Sequence, residues 1–285
     1  MASGLQQTKR RINSVNSTKK ITNAMRLVST AKLKSWKKRL AYNGEYADSL
    51  HSLMNMVIQS LSEEERTTFF GKDENKGILY IVVTSTLGLC GGYNYNLYKE
   101  VVPLIDKEKD EVLVIGTKGL SYFKRNGYKV NDKFVTLASN YDVSEIRKIR
   151  NEIMSRLQMG QVSQIKMAYT HFKNSITFIP TVIDIYPIQE DKDYVLTNKE
   201  KNMLIEPNAQ TILTSLIPLY LESLINSYII ESSVSEFASR SNAMESATDN
   251  ATDIINKLQI QFNKARQQSI TQEITEVVGG ANAQS

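Results

Sequence analysis

Apolar side chains in the first sixty residues recur at helical spacing. They fall at Leu5, Ile12, Val15, Ile21, Met25, Val28, Trp36, Leu40, Leu50, Met54, Val57 and Leu61, with most gaps of three, four or seven. Residues 3–61 hold no proline and only two glycines, Gly4 and Gly44, so little in them breaks a helix. Threonines at Thr8, Thr18 and Thr22 dilute the stripe. A stripe this narrow reads as the seam of a coiled coil rather than one side of a globular core. At 1.5 Å per residue such a helix is about 87 Å long, longer than a small domain is wide.

The pattern then changes. Residues 77–85 (GILYIVVTS), 111–116 (EVLVIG), 164–170 (QIKMAYT) and 176–186 (ITFIPTVIDIY) are short runs rich in β-branched residues, which predicts buried strands. Helical stretches are expected between them near 93–105, 117–125 and 143–159. Strands alternating with helices predict an open α/β sheet. Polar residues 190–202 read as a loop.

From about Asn208 to Val278 the helical period returns. Pro218 is expected to split a short helix from a long one, because the residue before proline resists helical angles. The later seam runs Leu221, Leu224, Tyr228, then small residues, then Ala247, Ala251, Ile254, Leu258, Phe262 and Ala265. Near the end, KARQQSITQEITE (264–276) is a well-formed helix with only Ile270 and Ile274 strongly apolar, and Gly279-Gly280 is expected to stop it. Neither long segment has apolar surface enough to stand alone, so each can pair with the other. The predicted fold is α/β: two long antiparallel terminal helices in a coiled coil, with an inserted open, Rossmann-like α/β domain. The expected divisions are 3–61, 76–200 and 208–278.

Charge sharpens this plan. The 285 residues carry a net charge of +5. Residues 1–40 hold eleven Lys and Arg and no acid, while residues 231–285 hold seven acids against four bases. The two ends are opposite in sign, which suits antiparallel pairing. One cysteine, Cys90, allows no internal disulfide and fits a reducing compartment. No uninterrupted apolar run approaches the ~18–20 residues of a spanning helix, and the start lacks the apolar region of a secretory signal.

Candidate chemistry is thin. GLCGGYN (88–94) sits where a phosphate loop would, between a strand and a helix. It matches neither the P-loop nor the dinucleotide pattern and contains no lysine, so a tight turn is its expected use. Cys90 has no histidine near it in sequence. His51, His171 and Cys90 match no metal-ligand spacing; His51 is expected on a helix face and His171 at a strand end. Trp36 falls on the seam as packing. No cofactor, metal or catalytic residue is expected. The basic first helix allows a solvated face, nucleic-acid binding, an organelle transit peptide or pairing with an acidic protein surface. Nucleic acid is disfavoured by the lack of interleaved aromatics, and a transit peptide by the length of the helix.

Three stretches, STKKITNAMRLVSTAKLK (17–34), GLCGGYNYNLY (88–98) and SATDNATDIINKLQIQFNKARQQSITQEITEVVGGANA (246–283), closely resemble the gamma subunit of F-type ATP synthase. The likeness spans essentially the whole chain. It departs at Thr86 and Leu87, where family members commonly carry an Asp-Arg pair. The resemblance implies a non-catalytic, central-stalk rotor subunit that couples proton-driven rotation to ATP synthesis. Its implied partners are three alpha and three beta subunits, epsilon and the ring of c subunits, with no nucleic acid and only indirect membrane association. It carries contacts with the beta subunits onto Arg266, Gln267, Thr271, Glu273 and Glu276, and a part in coupling onto Met25 and Arg240. Lys9, Lys32, Lys34 and Arg39 are candidate basic contacts with the acidic loops of beta. A basic helical-arm protein binding nucleic acid is the alternative. The expected location is peripheral, on the cytoplasmic face of a bacterial membrane.

Overall fold

A computed structural model describes residues 2–70, 76–189, 191, 194–196, 206 and 208–283. Helix α1 spans Ala2–Gln59 and α2 spans Glu63–Phe70. There follow β1 (Ile78–Val83), α3 (Tyr93–Val101), β2 (Glu111–Ile115), α4 (Thr117–Arg125), β3 (Val130–Asn131), α5 (Val143–Gln158), β4 (Gln164–Phe172) and β5 (Phe178–Tyr186). The last helix, α6, runs unbroken over Ala209–Ala283. The short α2 and β3 were not foreseen. Most of the expected loop at 190–202 lies outside the described residues.

The five strands lie in the order β3-β2-β1-β4-β5. β1 runs parallel to β2 and β4, β2 parallel to β3, and β5 is an antiparallel edge. Residues two apart share a face, and the core follows that rule. Leu79, Ile81, Val83, Leu113 and Ile115 face one apolar cluster, with the end of α1, α5 and the start of α6. Tyr80, Val82, Val112 and Val114 face a second, under α3 and α4. Buried on both faces, these strands are near-continuous apolar runs, which is how they read in the sequence. Gly119 on α4 lets that helix close on the sheet: a Cβ there would lie 2.6 Å from Thr84 Oγ1. Asp142 caps α5, its carboxylate accepting from the Ser144 amide at 2.9 Å.

Three expectations about α6 and its seam are corrected. Pro218 lies inside the helix. It costs the bond its missing N–H would donate, but Leu213, Leu216, Ile217, Tyr220 and Leu221, on both sides of it, are buried against the sheet. That packing outweighs the local penalty. Gly279 and Gly280 do not end the helix, which continues to Ala283. Finally, α6 contains an 18-residue stretch apolar enough, by length and composition, to cross a membrane, with mean hydropathy 1.3 and 44% of it buried in the protein. Uninterrupted-run counting missed it because Ser215, Glu222 and Asn226 interrupt the apolar residues. The apolar face of that part of α6 is taken up by the sheet: Leu213, Leu221 and Ile225 are fully buried.

The chain divides into two compact units, residues 31–239 and residues 1–30 with 240–285. In the second unit α1 and α6 run antiparallel. Thr22 Oγ1 lies 2.8 Å from Thr248 Oγ1, and Thr30 Oγ1 lies 3.0 Å from Ser241 Oγ. One covered line on α1 runs Leu5, Thr8, Ile12, Val15, Lys19, Thr22, Arg26 and Ser29, and one on α6 runs Met244, Thr248, Ala251, Ile255, Leu258, Phe262, Ala265 and Ser269; Asn16, Met25, Ala247 and Thr252 beside these lines are also half-buried. Along each line steps of three and four alternate, the heptad of a coiled coil. This shifts the seam read from apolar residues alone. Ile21 and Val28 are 60% and 58% exposed, and Ile254 is 44% exposed. Thr22, Ser29 and Ile255 hold the covered positions beside Ile21, Val28 and Ile254.

Candidate functional site

The glycine turn between β1 and α3 is a packed corner. Leu89 and Gly91 both adopt φ +60°, a conformation that glycine takes freely and leucine rarely. Asn94 closes the corner: its side-chain oxygen accepts from the Ser85 amide at 3.0 Å, and its nitrogen donates to Ser85 Oγ at 2.7 Å. Cys90 is buried, its sulfur 3.6 Å from Ser85 Oγ. The turn is braced by its own side chains, as the tight-turn reading expected.

The two histidines serve structural contacts. His51 lies on α1 with Nδ1 3.0 Å from Tyr220 Oη and Nε2 3.3 Å from Asp191. His171, near the end of β4, lies 2.6 Å from Glu231. Among the described residues no cluster of three His, Cys, Asp or Glu could hold a metal ion. Trp36 packs edge-on against Tyr141 at 5.1 Å, and the Arg39 guanidinium covers both rings at 5.0 and 4.9 Å.

The predicted contact residues fall into three groups. Met25 and Arg240 lie on the paired stretch of α1 and α6; Met25 is half-buried and Arg240 buried. Lys9, Lys32, Lys34 and Arg39 are exposed. Among the described residues none of these four makes an ion pair. Lys32 instead rests over Phe237 at 5.4 Å. Arg266, Gln267, Thr271, Glu273 and Glu276 are exposed along the last turns of α6. Their internal bonds are local, such as Thr271 Oγ1 to the Gln267 carbonyl at 2.9 Å and Gln272 to Glu276 at 2.8 Å. Every side chain from Ile270 to Val278 is exposed. Ile270, Ile274 and Val277 recur at steps of four and three and form an uncovered apolar edge on this polar tip.

One set of residues was missed. Ser232, Ser235 and Ser239 on α6 are buried and bond to β4 and the glycine turn. The Ser235 hydroxyl donates to the Thr170 carbonyl at 2.9 Å, and the Ser239 hydroxyl to the Cys90 carbonyl at 2.7 Å. Ser232 Oγ accepts from the Thr170 amide at 3.3 Å and lies 2.7 Å from Tyr93 Oη. Burial, with the Glu236 charge adding to it, pushes the Tyr93 phenol far above its ordinary range. The signal was present as serines three and four apart, but the stretch had been set aside as small residues.

One unit holds the α/β sheet and the other a pair of long helices, with the last turns of α6 exposed. A family model described as ATP synthase matches residues 4–284. The ATP synthase gamma chain of Mycoplasma mycoides subsp. mycoides SC is 39% identical over 284 residues, covering 99% of each chain. That of Alkaliphilus metalliredigens is 39% identical over 288 residues, again covering 99% of each. Among solved structures, a central stalk/c-ring chain of the Tetrahymena thermophila mitochondrial ATP synthase matches with TM-score 0.59 and 25% identity, over 80% of this chain and 99% of that one. A rotor chain of the Euglena gracilis mitochondrial enzyme shares the fold, with TM-score 0.63 and 13% identity over 95% and 100% of the two chains. The chain belongs to the ATP synthase gamma chain family. It is a non-catalytic subunit of a membrane-associated complex.

Proposed function

We propose that this chain is the rotor shaft of its complex, with residues 3–61 and 208–278 as the shaft and 76–200 as the foot. The observation that carries the reading is the tip of α6, a continuous helix exposed on every side from Ile270 to Val278. Among the described residues no other element covers these turns, so their side chains are open to contacts with surrounding chains. Exposed polar groups such as Arg266, Gln267, Thr271, Glu273 and Glu276 can exchange partners as the tip turns. The Ile270–Ile274–Val277 edge gives the tip an apolar bearing surface.

The surrounding chains are three alpha and three beta subunits, and the catalytic groups are theirs. A ligand or partner shifts a conformational equilibrium only by contacting its states differently. A shaft with Met25 and Arg240 on one stretch and unpaired cations at Lys9, Lys32, Lys34 and Arg39 presents a different surface to each beta subunit. Turning it moves those contacts around the ring and so changes each site's nucleotide affinity in sequence. The foot binds epsilon and the c ring on the cytoplasmic face of the membrane, so ion flow turns the shaft and drives ATP release.

Truncation after Phe262 tests this. The expected result is an unchanged melting temperature for the α/β body, with less ATP-driven ion pumping per ATP hydrolysed by the assembled complex. Unchanged pumping per ATP would remove the tip from the mechanism.

A further inference from the structure

Two kinds of contact hold α6 to the α/β body. From Leu213 to Ile229 the contact is apolar. From Glu231 to Ser239 hydrogen bonds to backbone are added to the buried Val234 and Ala238. The sheet explains why. The β1–β4 ladder ends at Val82 opposite Ala168, while β4 continues to Phe172. Thr170 and Phe172 therefore overhang β1 with backbone groups that no strand pairs on that side. Helix α6 replaces the missing strand with side chains. Ser232 accepts from the Thr170 amide, Ser235 donates to the Thr170 carbonyl, and Glu231 accepts from the Phe172 amide at 3.2 Å. One turn on, Ser239 reaches the Cys90 carbonyl of the glycine turn.

We infer that Ser232, Ser235 and Ser239, together with Glu231, form the torque-bearing joint between the α/β body and α6. The inference rests on the rotor reading above and assigns it a load path. Apolar contacts are non-directional and set only a weak preference for the angle of a helix about its own axis. Hydrogen bonds lose strength steeply away from linearity. Four of them, to three separate backbone sites on two elements, fix that angle. Serine suits the task because its short side chain lets strand and helix backbones approach closely while keeping a donor and an acceptor. The residues are positioning residues: they touch no substrate.

The test uses the assembled complex held by its stator, with a bead on the α/β body of this chain. Angular fluctuation of the bead is recorded while the ring is paused, and ATP turnover is measured on the same preparation. For the triple variant Ser232→Ala, Ser235→Ala, Ser239→Ala the angular spread is expected to widen about twofold, because the Thr170 and Cys90 backbone groups lose their partners, with unloaded ATP turnover little changed, because the joint holds no catalytic group. The single variants Ser235→Ala and Ser239→Ala give smaller increases in the same direction and cover the case in which the triple variant fails to assemble. A purely structural role would lower the melting temperature without widening the paused spread. An unchanged spread in the triple variant, or in both singles if it does not assemble, overturns the joint. A wild-type bead that never turns with ATP rejects the rotor reading itself, which separates the two failures.

Discussion

Helix α6 is one continuous element, yet its two halves are held in opposite ways. Between Leu213 and Ile229 it sinks fully apolar side chains into the face of the sheet. Between Met244 and Ser269 its covered positions mix Leu258 and Phe262 with Thr248, Ala251 and Ser269, opposite Thr8, Thr22 and Ser29 on α1. The first half is anchored by burial, each large side chain contributing roughly 1.5–3 kcal/mol. The second is a helix pair with a thin, hydroxyl-lined seam. Strong burial fixes the helix on the body that is turned. A weak, polar seam leaves the outer surface of the pair free for contacts with other chains.

The comparison breaks most visibly in the anchored half. Leu221→Ala removes a fully buried side chain and is expected to cost about 2–5 kcal/mol, read as a lower denaturation midpoint of the whole chain. Val28→Ala, an equally apolar residue on the exposed face of α1, is expected to stay within about 0.5 kcal/mol. Equal losses from the two would mean that Val28 is covered.

The seam gives a smaller effect of opposite sign. Thr22 and Thr248 bond each other across the pair. Replacing both by valine removes donor and acceptor together and keeps the shape, which is nearly neutral or stabilising by up to roughly 1 kcal/mol. Thermal unfolding monitored by helix signal should show an equal or higher midpoint. A clear fall would show that the hydroxyl pair, and not coverage, holds the seam.

The smallest effect is a pH dependence confined to the α/β body. Burial, with the charges of Asp110 and Asp184 adding to it, pushes the Tyr80 phenol up to about 12. The folded state therefore favours the neutral phenol. That contribution is complete below the ordinary value of about 10 and is lost as pH rises toward 12. Tyr80→Phe should flatten the decline in stability between pH 9 and 11, compared by urea midpoint at each pH. The Tyr80 hydroxyl also donates to the Leu104 carbonyl at 2.8 Å, so the variant starts lower at pH 9. An unaltered slope would refute the assignment.

The same contrast explains what could be read in advance. The strands were legible because β1 and β2 are buried on both faces and so are apolar throughout. The helical nature of both ends was legible from spacing and from the scarcity of breakers. Which face of each helix is covered was only partly legible. In a seam this thin, Thr22 and Ser29 occupy covered positions while Ile21 and Val28 point outward, and no hydropathy rule orders them that way. Strict heptad counting from Leu5 would have found them. Continuity through Pro218 was illegible because it depends on packing against a distant sheet. The serine joint was hidden for a related reason: its partners are backbone groups of β4 and the glycine turn, which leave no mark in a side-chain pattern. Of the candidate contacts, the tip residues stood out as a polar, breaker-free helix, whereas assigning roles to Met25 and Arg240 required the family resemblance.

The central claim, that this chain turns inside its partners, is tested most directly by watching it turn. The complex of this chain with its alpha and beta subunits is fixed to a surface through the beta subunits, and a bead is attached to the α/β body through a biotinylated cysteine introduced there. With ATP the account predicts unidirectional, stepped rotation that stops when ATP is withdrawn. Sustained ATP hydrolysis by the same molecules with a stationary bead would contradict it.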